Sequence, residues 1–191
     1  AARQRLHKET GERAAGLAVI NSLQQGMAAK LDFQAIVDLV GDRLREVFNT
    51  GDIGIRWHDD ATDLLHYLYE YQHGVRMSTT PRPPSPGGLW HRFVQSRQPV
   101  VARSAAEMAA MGISVIPGTD QSQSMVAVPI LGGDRLLGVI VLENYAREDA
   151  FGEPEVRLLS TVAASMGVAL ENARLFDETQ RLFKESEQRA A

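Results

Sequence analysis

The sequence predicts an α+β protein built on an antiparallel sheet. Three observations carry this. Apolar stripes at helical period occupy both ends of the 191-residue chain. Strand-like runs in the middle fall into two pairs joined by short polar or glycine turns, the pattern of hairpins. A proline-rich loop and two short helical segments separate the pairs.

The elements follow in order. Residues 3–31 read as a long helix, with Leu6, Thr10, Arg13, Leu17, Ile20, Gln24, Met27 and Leu31 at alternating spacings of four and three, a heptad seam with polar members. Asp32 is the N-cap expected for a second helix to Phe48, whose stripe is Phe33, Ile36, Val37, Val40, Leu44, Val47 and Phe48. Ile53, Ile55 and Trp57 then alternate as a strand. Asp59 to Asp63 is a polar turn, and Leu64 to Tyr71 returns with Leu65, Tyr67, Tyr69 and Tyr71 expected on one face.

Residues 78–88 hold four of the eight prolines, so neither helix nor sheet continues through them. A short helix from Leu89 to Ser96, a short strand from Val100 to Arg103 and a weak helix around 105–111 come next, then a polar stretch to Gln123. Ser124–Leu131 and Leu136–Glu143 are apolar strands joined at Gly132-Gly133-Asp134; the second is apolar on both faces and therefore central. Pro154, flanked by acids, opens a last helix to the end of the sequence. Val156, Leu159, Val162, Met166, Ala169, Ala173, Phe176, Gln180 and Phe183 form its seam. A helix of about 37 residues is ~55 Å long, more than one domain buries, so part of it is expected to project.

Composition excludes several chemistries. With no cysteine there is no thiol nucleophile, disulfide, Cys-ligated metal or thioether-linked chromophore. A net charge of −4 argues against a nucleic-acid partner, and no apolar run reaches membrane-spanning length. The five histidines include no i, i+4 pair, so no metal site is expected, and Asp59, Asp60 and Asp63 read as a solvated turn. Gly132-Gly133 joins strands rather than strand to helix and is not a phosphate loop. Neither Ser122 nor Ser124 has a nucleophile-elbow context. No catalytic residue is assigned. His91, beside Trp90 on the short helix, is the histidine placed to reach a pocket, and the axial candidate if haem binds.

The ends repeat each other. Residues 4–15 and 180–191 are identical at eight of twelve ungapped positions, offset by 176 residues. The exit helix of one unit would then be the entry helix of the next, making the chain one period of a tandem array.

The segment Ser124-Met-Val-Ala-Val-Pro-Ile130, the Gly132-Gly133 turn, Leu137-Gly-Val-Ile-Val-Leu-Glu-Asn144, and Phe151, Glu155 and Ala163 to Ala173 with its Glu-Asn-Ala ending resemble a GAF domain over residues 30–175. The resemblance implies five or six antiparallel strands, the long terminal helices on one face, and short helices and loops covering a ligand pocket on the other. It divides the chain into an N-terminal signalling helix (1–31), a GAF-like sensory domain (32–172) and a helical extension to a following domain (173–191). It implies a non-catalytic, cytoplasmic sensory unit of a larger signalling protein, such as a histidine kinase or nucleotide cyclase. The alternative is a structural dimerisation or linker unit without ligand. Of the cyclic-nucleotide signature, Asn144 and Phe151 match, while Tyr145 and Glu155-Val156 depart from it. Haem is the other named candidate. Covalent bilin and methionine-sulfoxide reduction both call for the cysteine this chain lacks.

Two residue sets follow. The expected pocket lining is Trp57, Tyr67, Tyr69, Trp90, His91, Met108, Ile113, Ser124 and Val126. The expected interface of a parallel homodimer, a four-helix bundle of terminal helices, is Leu17, Ile20, Met27, Met166, Ala169 and Phe176.

Overall fold

The computed structural model describes residues 2–28 and 32–190. Helix α1 (Ala2–Ala28) leads to α2 (Phe33–Val47), then strands β1 (Ile53–Asp59), β2 (Leu64–Gln72) and β3 (Val75–Arg76). Helix α3 (Leu89–Ser96), β4 (Val100–Ala102) and α4 (Ala105–Ala110) follow. Strands β5 (Ser124–Gly132) and β6 (Arg135–Asn144) precede the 38-residue α5 (Glu153–Ala190). One six-stranded sheet runs β3-β2-β1-β6-β5-β4, antiparallel at every pairing. The expected fold class is observed, with β6 in the interior as its unbroken apolar run required. Leu31, the last member of the expected α1 seam, lies outside the described residues.

Local chemistry sets the boundaries. The Asp32 carboxylate accepts from the Ala35 amide at 3.1 Å, capping α2, and Ser104 caps α4 by accepting from Glu107 at the same distance. The β2–β3 turn is His73-Gly74, both at positive φ (51° and 76°), the geometry of a two-residue primed turn. The hairpin escapes a reading of the sequence because histidine is not a usual first residue of such a turn. Here the Asp52 carboxylate accepts from the His73 amide at 2.6 Å and secures it.

The two faces of the sheet bury different cores. On one face α2 and α5 lie on the strands and α1 packs across both helices. Ile36, Val40, Leu44, Ile53, Ile55, Tyr69, Val128, Ile140, Leu159, Val162 and Met166 are fully enclosed there. Close approach demands small residues. A Cβ on Gly167 of α5 would lie 2.0 Å from the Leu131 carbonyl oxygen, and one on Gly41 of α2 would lie 2.5 Å from the Tyr69 ring. On the other face α3 and α4 cover a smaller core of Phe93, Ala102, Met108, Met125, Ala127, Val139 and Val141.

One irregularity decides which face each tyrosine of β2 serves. Tyr71 and Tyr69 pair with Ile53 and Ile55, but Tyr67 pairs with Arg56, so β2 carries one extra residue, Leu68, at a β-bulge. Beyond it the alternation is inverted. Tyr69 and Tyr71 face the helices, while Tyr67 and Leu65 face the other way, contrary to the single face expected from period two.

Candidate functional site

A cavity of about 350 Å³ opens on the sheet face away from the long helices. Its floor is β2, β1 and β6 at the centre of the sheet, with Met125 of β5 at one side. Trp90 of α3 and Met108 of α4 form walls. The proline loop contributes Arg82 and Pro83, and the segment from Ile113 to Ser122 closes the far side. Antiparallel pairing of Leu65 with Arg82, through backbone bonds of 2.8 and 3.2 Å, tethers that loop to β2.

The floor is charged. Arg56 of β1 donates from Nε to Glu70 of β2 at 2.8 Å, with both side chains nearly buried (13% and 12% exposed). Glu143 of β6 stands on the other side of β1. It accepts from the Ser122 hydroxyl at 3.1 Å and from the Tyr145 hydroxyl at 3.2 Å. Gln72 in turn donates to the Tyr145 oxygen at 3.2 Å. Burial pushes the Glu70 carboxyl above its ordinary range; Arg56 pulls it back and Glu143 adds to the rise. Burial also works against the Arg56 charge, but Glu70 and then Glu143 outweigh it, so the guanidinium is held more firmly protonated than usual. Burial and the neighbouring Glu143 likewise raise the Tyr145 hydroxyl, which stays a donor.

The rim is built from paired groups. The His58 ring stacks on Trp90 with centroids 4.6 Å apart, and its nitrogens sit 3.1 and 2.8 Å from Asp60 and Asp63. This fixes α3 against the β1–β2 turn. His73 packs on Tyr145 and bonds Asp120 at 2.9 Å, which holds the closing segment to the β2–β3 turn.

Of the residues expected to line a pocket, Tyr67, Trp90, Met108 and Ile113 surround this cavity. Five do not. Trp57, Tyr69 and Val126 belong to the helix-face core. Trp57 packs edge-on to Phe33 of α2, and the Tyr69 hydroxyl donates to Asp42 at 2.6 Å. Trp57 fails because it shares the β1 face of Ile53 and Ile55; Tyr69 fails because the bulge leaves it beside Tyr71 under α2. Ser124 donates to the Arg147 carbonyl at 2.8 Å and accepts from Ala150, so it is buried in fastening the β6–α5 loop. His91 is exposed on the outer side of α3, donating to the Ser85 carbonyl at 3.0 Å, and is not placed to ligate haem in the cavity. Arg56, Glu70, Gln72, Ser122, Glu143 and Tyr145 went unassigned by sequence reasoning. The signal for them was polarity on alternate positions of otherwise apolar central strands: Arg56 between Ile55 and Trp57, and Glu143 ending Leu136–Leu142.

The expected dimer set divides too. Met27 and Met166 are buried inside the chain's own core (3% and 0% exposed), and Ile20 and Ala169 lean on the same core. Leu17 and Phe176 are exposed. Helix α5 also exposes Val168, Leu175 and Leu182 at seven-residue intervals, and Phe183 seven residues after Phe176. The seam expected from the sequence combines two stripes, one packed in the chain's own core and the other facing out.

Among the described residues, no group of three metal-ligating side chains is assembled, and no helix is long and apolar enough to cross a membrane.

The chain is 23% identical over 172 residues to the formate hydrogenlyase transcriptional activator of Salmonella typhimurium, covering 86% of this chain and 24% of that protein. It thus spans about a quarter of the length of the curated relatives it matches. Among solved structures it resembles a free methionine-R-sulfoxide reductase from Neisseria meningitidis in complex with its substrate (TM-score 0.69, 20% identical, 85% of this chain and 92% of that one). It also resembles the GAF domain of a phosphoenolpyruvate-protein phosphotransferase from Coxiella burnetii (TM-score 0.67, 19% identical, 85% and 96%). A model of the GAF domain, a signalling and sensory module, matches residues 30–171, most of the chain: the chain belongs to the GAF domain family.

Proposed function

We propose that this chain is a non-catalytic sensory unit of a longer cytoplasmic signalling protein, binding a small molecule in the cavity and passing its presence to neighbouring domains through α1 and α5. The observation that carries this reading is that the cavity and the long helices share one wall. Arg56 and Glu143 form the cavity floor, while their chain neighbours Ile55 and Leu142 are packed beneath the helix layer. A ligand that favours one arrangement of the sheet therefore biases the helices on its other side. The chain has no cysteine and so no thiol nucleophile.

The repeat between residues 4–15 and 180–191 supports a tandem array in which α5 runs on as the first helix of the next unit. A histidine kinase, a nucleotide cyclase or, following the curated relatives, a transcriptional activator would be the output. The outward stripe of Val168, Leu175, Phe176, Leu182 and Phe183, with Leu17 of α1, supports a parallel homodimer along the helices. The alternative, a linker unit that dimerises and transmits without a ligand, uses the same stripe and leaves the cavity unused.

Native mass spectrometry of the purified protein separates the two. A retained small molecule, lost when Met125→Trp fills the cavity of a folded variant, supports the sensor. Retention unchanged in that variant overturns the cavity as its site. Sedimentation tests the dimer: Phe176→Glu with Leu182→Glu should give monomer, and a monomeric parent chain would overturn transmission between paired helices.

A further inference from the structure

We infer that the cavity selects a compact ligand carrying a positively charged hydrogen-bond donor, an ammonium or amidinium group, and rejects anionic ligands of the same size. The inference rests on the sensory reading and names its ligand class. The side chains lining the cavity include two arginines, Arg56 and Arg82, against three carboxylates, Glu70, Glu143 and Asp120. The floor itself is one cation against two anions. Arg56 is committed to Glu70, with Nε–Oε1 at 2.8 Å and its second nitrogen 3.5 Å from the other oxygen. Glu143 has two neutral donors, Ser122 and Tyr145, and no ion-pair partner among the described residues.

A carboxylate on the floor of a cavity is the natural partner for a ligand group of opposite charge. Two neutral hydrogen bonds orient Glu143 and leave acceptor capacity on its oxygens, since an ionised carboxylate offers about four lone-pair sites. A ligand ammonium or amidinium supplies both the donors and the missing charge, making the stronger, charge-assisted kind of bond. The walls suit the rest of such a molecule: Trp90, Met108, Ile113 and Val141 are apolar, so an uncharged aliphatic or aromatic body packs there. An anionic group would meet the surplus carboxylate in a site of low dielectric, where like charges repel strongly. Arg82, the cation not committed on the floor, is exposed at the mouth and faces the same opening as Asp120.

The test uses three probes of one shape and three charges: benzamidine, benzamide and benzoate. Each is titrated into the whole chain and followed by protein-observed NMR and thermal melting. Benzamidine should bind in the cavity roughly tenfold or more tightly than benzamide, and benzoate most weakly. Glu143→Gln should remove roughly tenfold of the benzamidine affinity while leaving benzamide unchanged. The order among probes in the parent chain requires no variant to fold. Benzoate or benzamide binding in the cavity as tightly as benzamidine overturns the charge selectivity but leaves the cavity as a binding site. No probe entering the cavity overturns the proposed ligand class, while a small molecule retained in native mass spectra would still uphold the sensory reading.

Discussion

Tyr67 and Tyr69 are two residues apart on one strand and live in opposite environments. Tyr69 is fully enclosed beneath α2, its ring against Gly41 and its hydroxyl bonded to Asp42. Tyr67 is half-buried at the edge of a cavity with an arginine and two glutamates on its floor. The same contrast holds for the whole sheet. The helix face is close-packed and apolar, and it supplies most of the burial that stabilises the fold. The cavity face holds fewer enclosed side chains, a void of about 350 Å³ and the nearly buried Arg56–Glu70 pair. Close packing and the charged cavity are thus separated onto two sides of one layer, so side chains on the cavity side can change without unmaking the core.

The comparison breaks first at the tyrosines. Tyr69→Ala should cost about 4 kcal/mol of unfolding free energy, since a large side chain leaves a space that Gly41 cannot fill. Tyr67→Ala borders an existing void and should cost about 1 kcal/mol. Urea denaturation of both variants checks the difference, and equal losses would erase the distinction between the faces.

The charged floor gives a second, smaller asymmetry. Arg56→Met removes the one floor cation, leaves the nearly buried Glu70 carboxylate without its partner and with Glu143 nearby, and should cost about 3 kcal/mol. Glu70→Gln removes a carboxylate whose charge burial disfavours, leaves Arg56 with Glu143 still nearby and should cost well under that. Equal costs, or a larger one for Glu70→Gln, would contradict a floor with surplus negative charge.

The smallest effect is a pH dependence. Burial, only partly offset by Arg56, raises the Glu70 carboxyl above its ordinary value of 4.5 in the folded state. The folded chain then binds this proton more tightly than the unfolded chain. The stability Glu70 contributes is fully present below that ordinary value and is lost as pH rises through the folded one. Relative to Glu70→Gln, the parent protein should lose stability on going upward from pH 4.5. Denaturant titrations of both proteins up to about pH 7 measure it, and parallel curves would show Glu70 unshifted.

Local patterns in the amino-acid sequence determine the types and boundaries of most elements. Asp32 and Ser104 cap helices through their own oxygens, Gly133-Asp134 turns one hairpin, and the unbroken apolar run of Leu136–Leu142 places β6 inside the sheet. Each rests on interactions between residues close in the chain, or on burial of a strand on both faces. Four of the nine expected pocket residues surround the cavity for the same reason: Trp90 and Met108 sit on the apolar faces of short helices that must cover something.

Tertiary structure alone decides the rest. The Leu68 bulge is visible only in the pairing of β2 with β1, because period two has no memory of an inserted residue until a partner strand sets the register. That one residue sends Tyr67 to the cavity and leaves Tyr69 in the core. Heptad spacing in α5 likewise cannot tell whether an apolar position meets the chain's own sheet or a second helix. The register of α5 against β5, set by the contact of Gly167 with Leu131, buries Met166 and turns Val168, Leu175 and Leu182 outward. The meeting of Arg56, Glu70 and Glu143 needs three strands brought side by side from positions up to 87 residues apart, and no local rule of sequence encodes that distance.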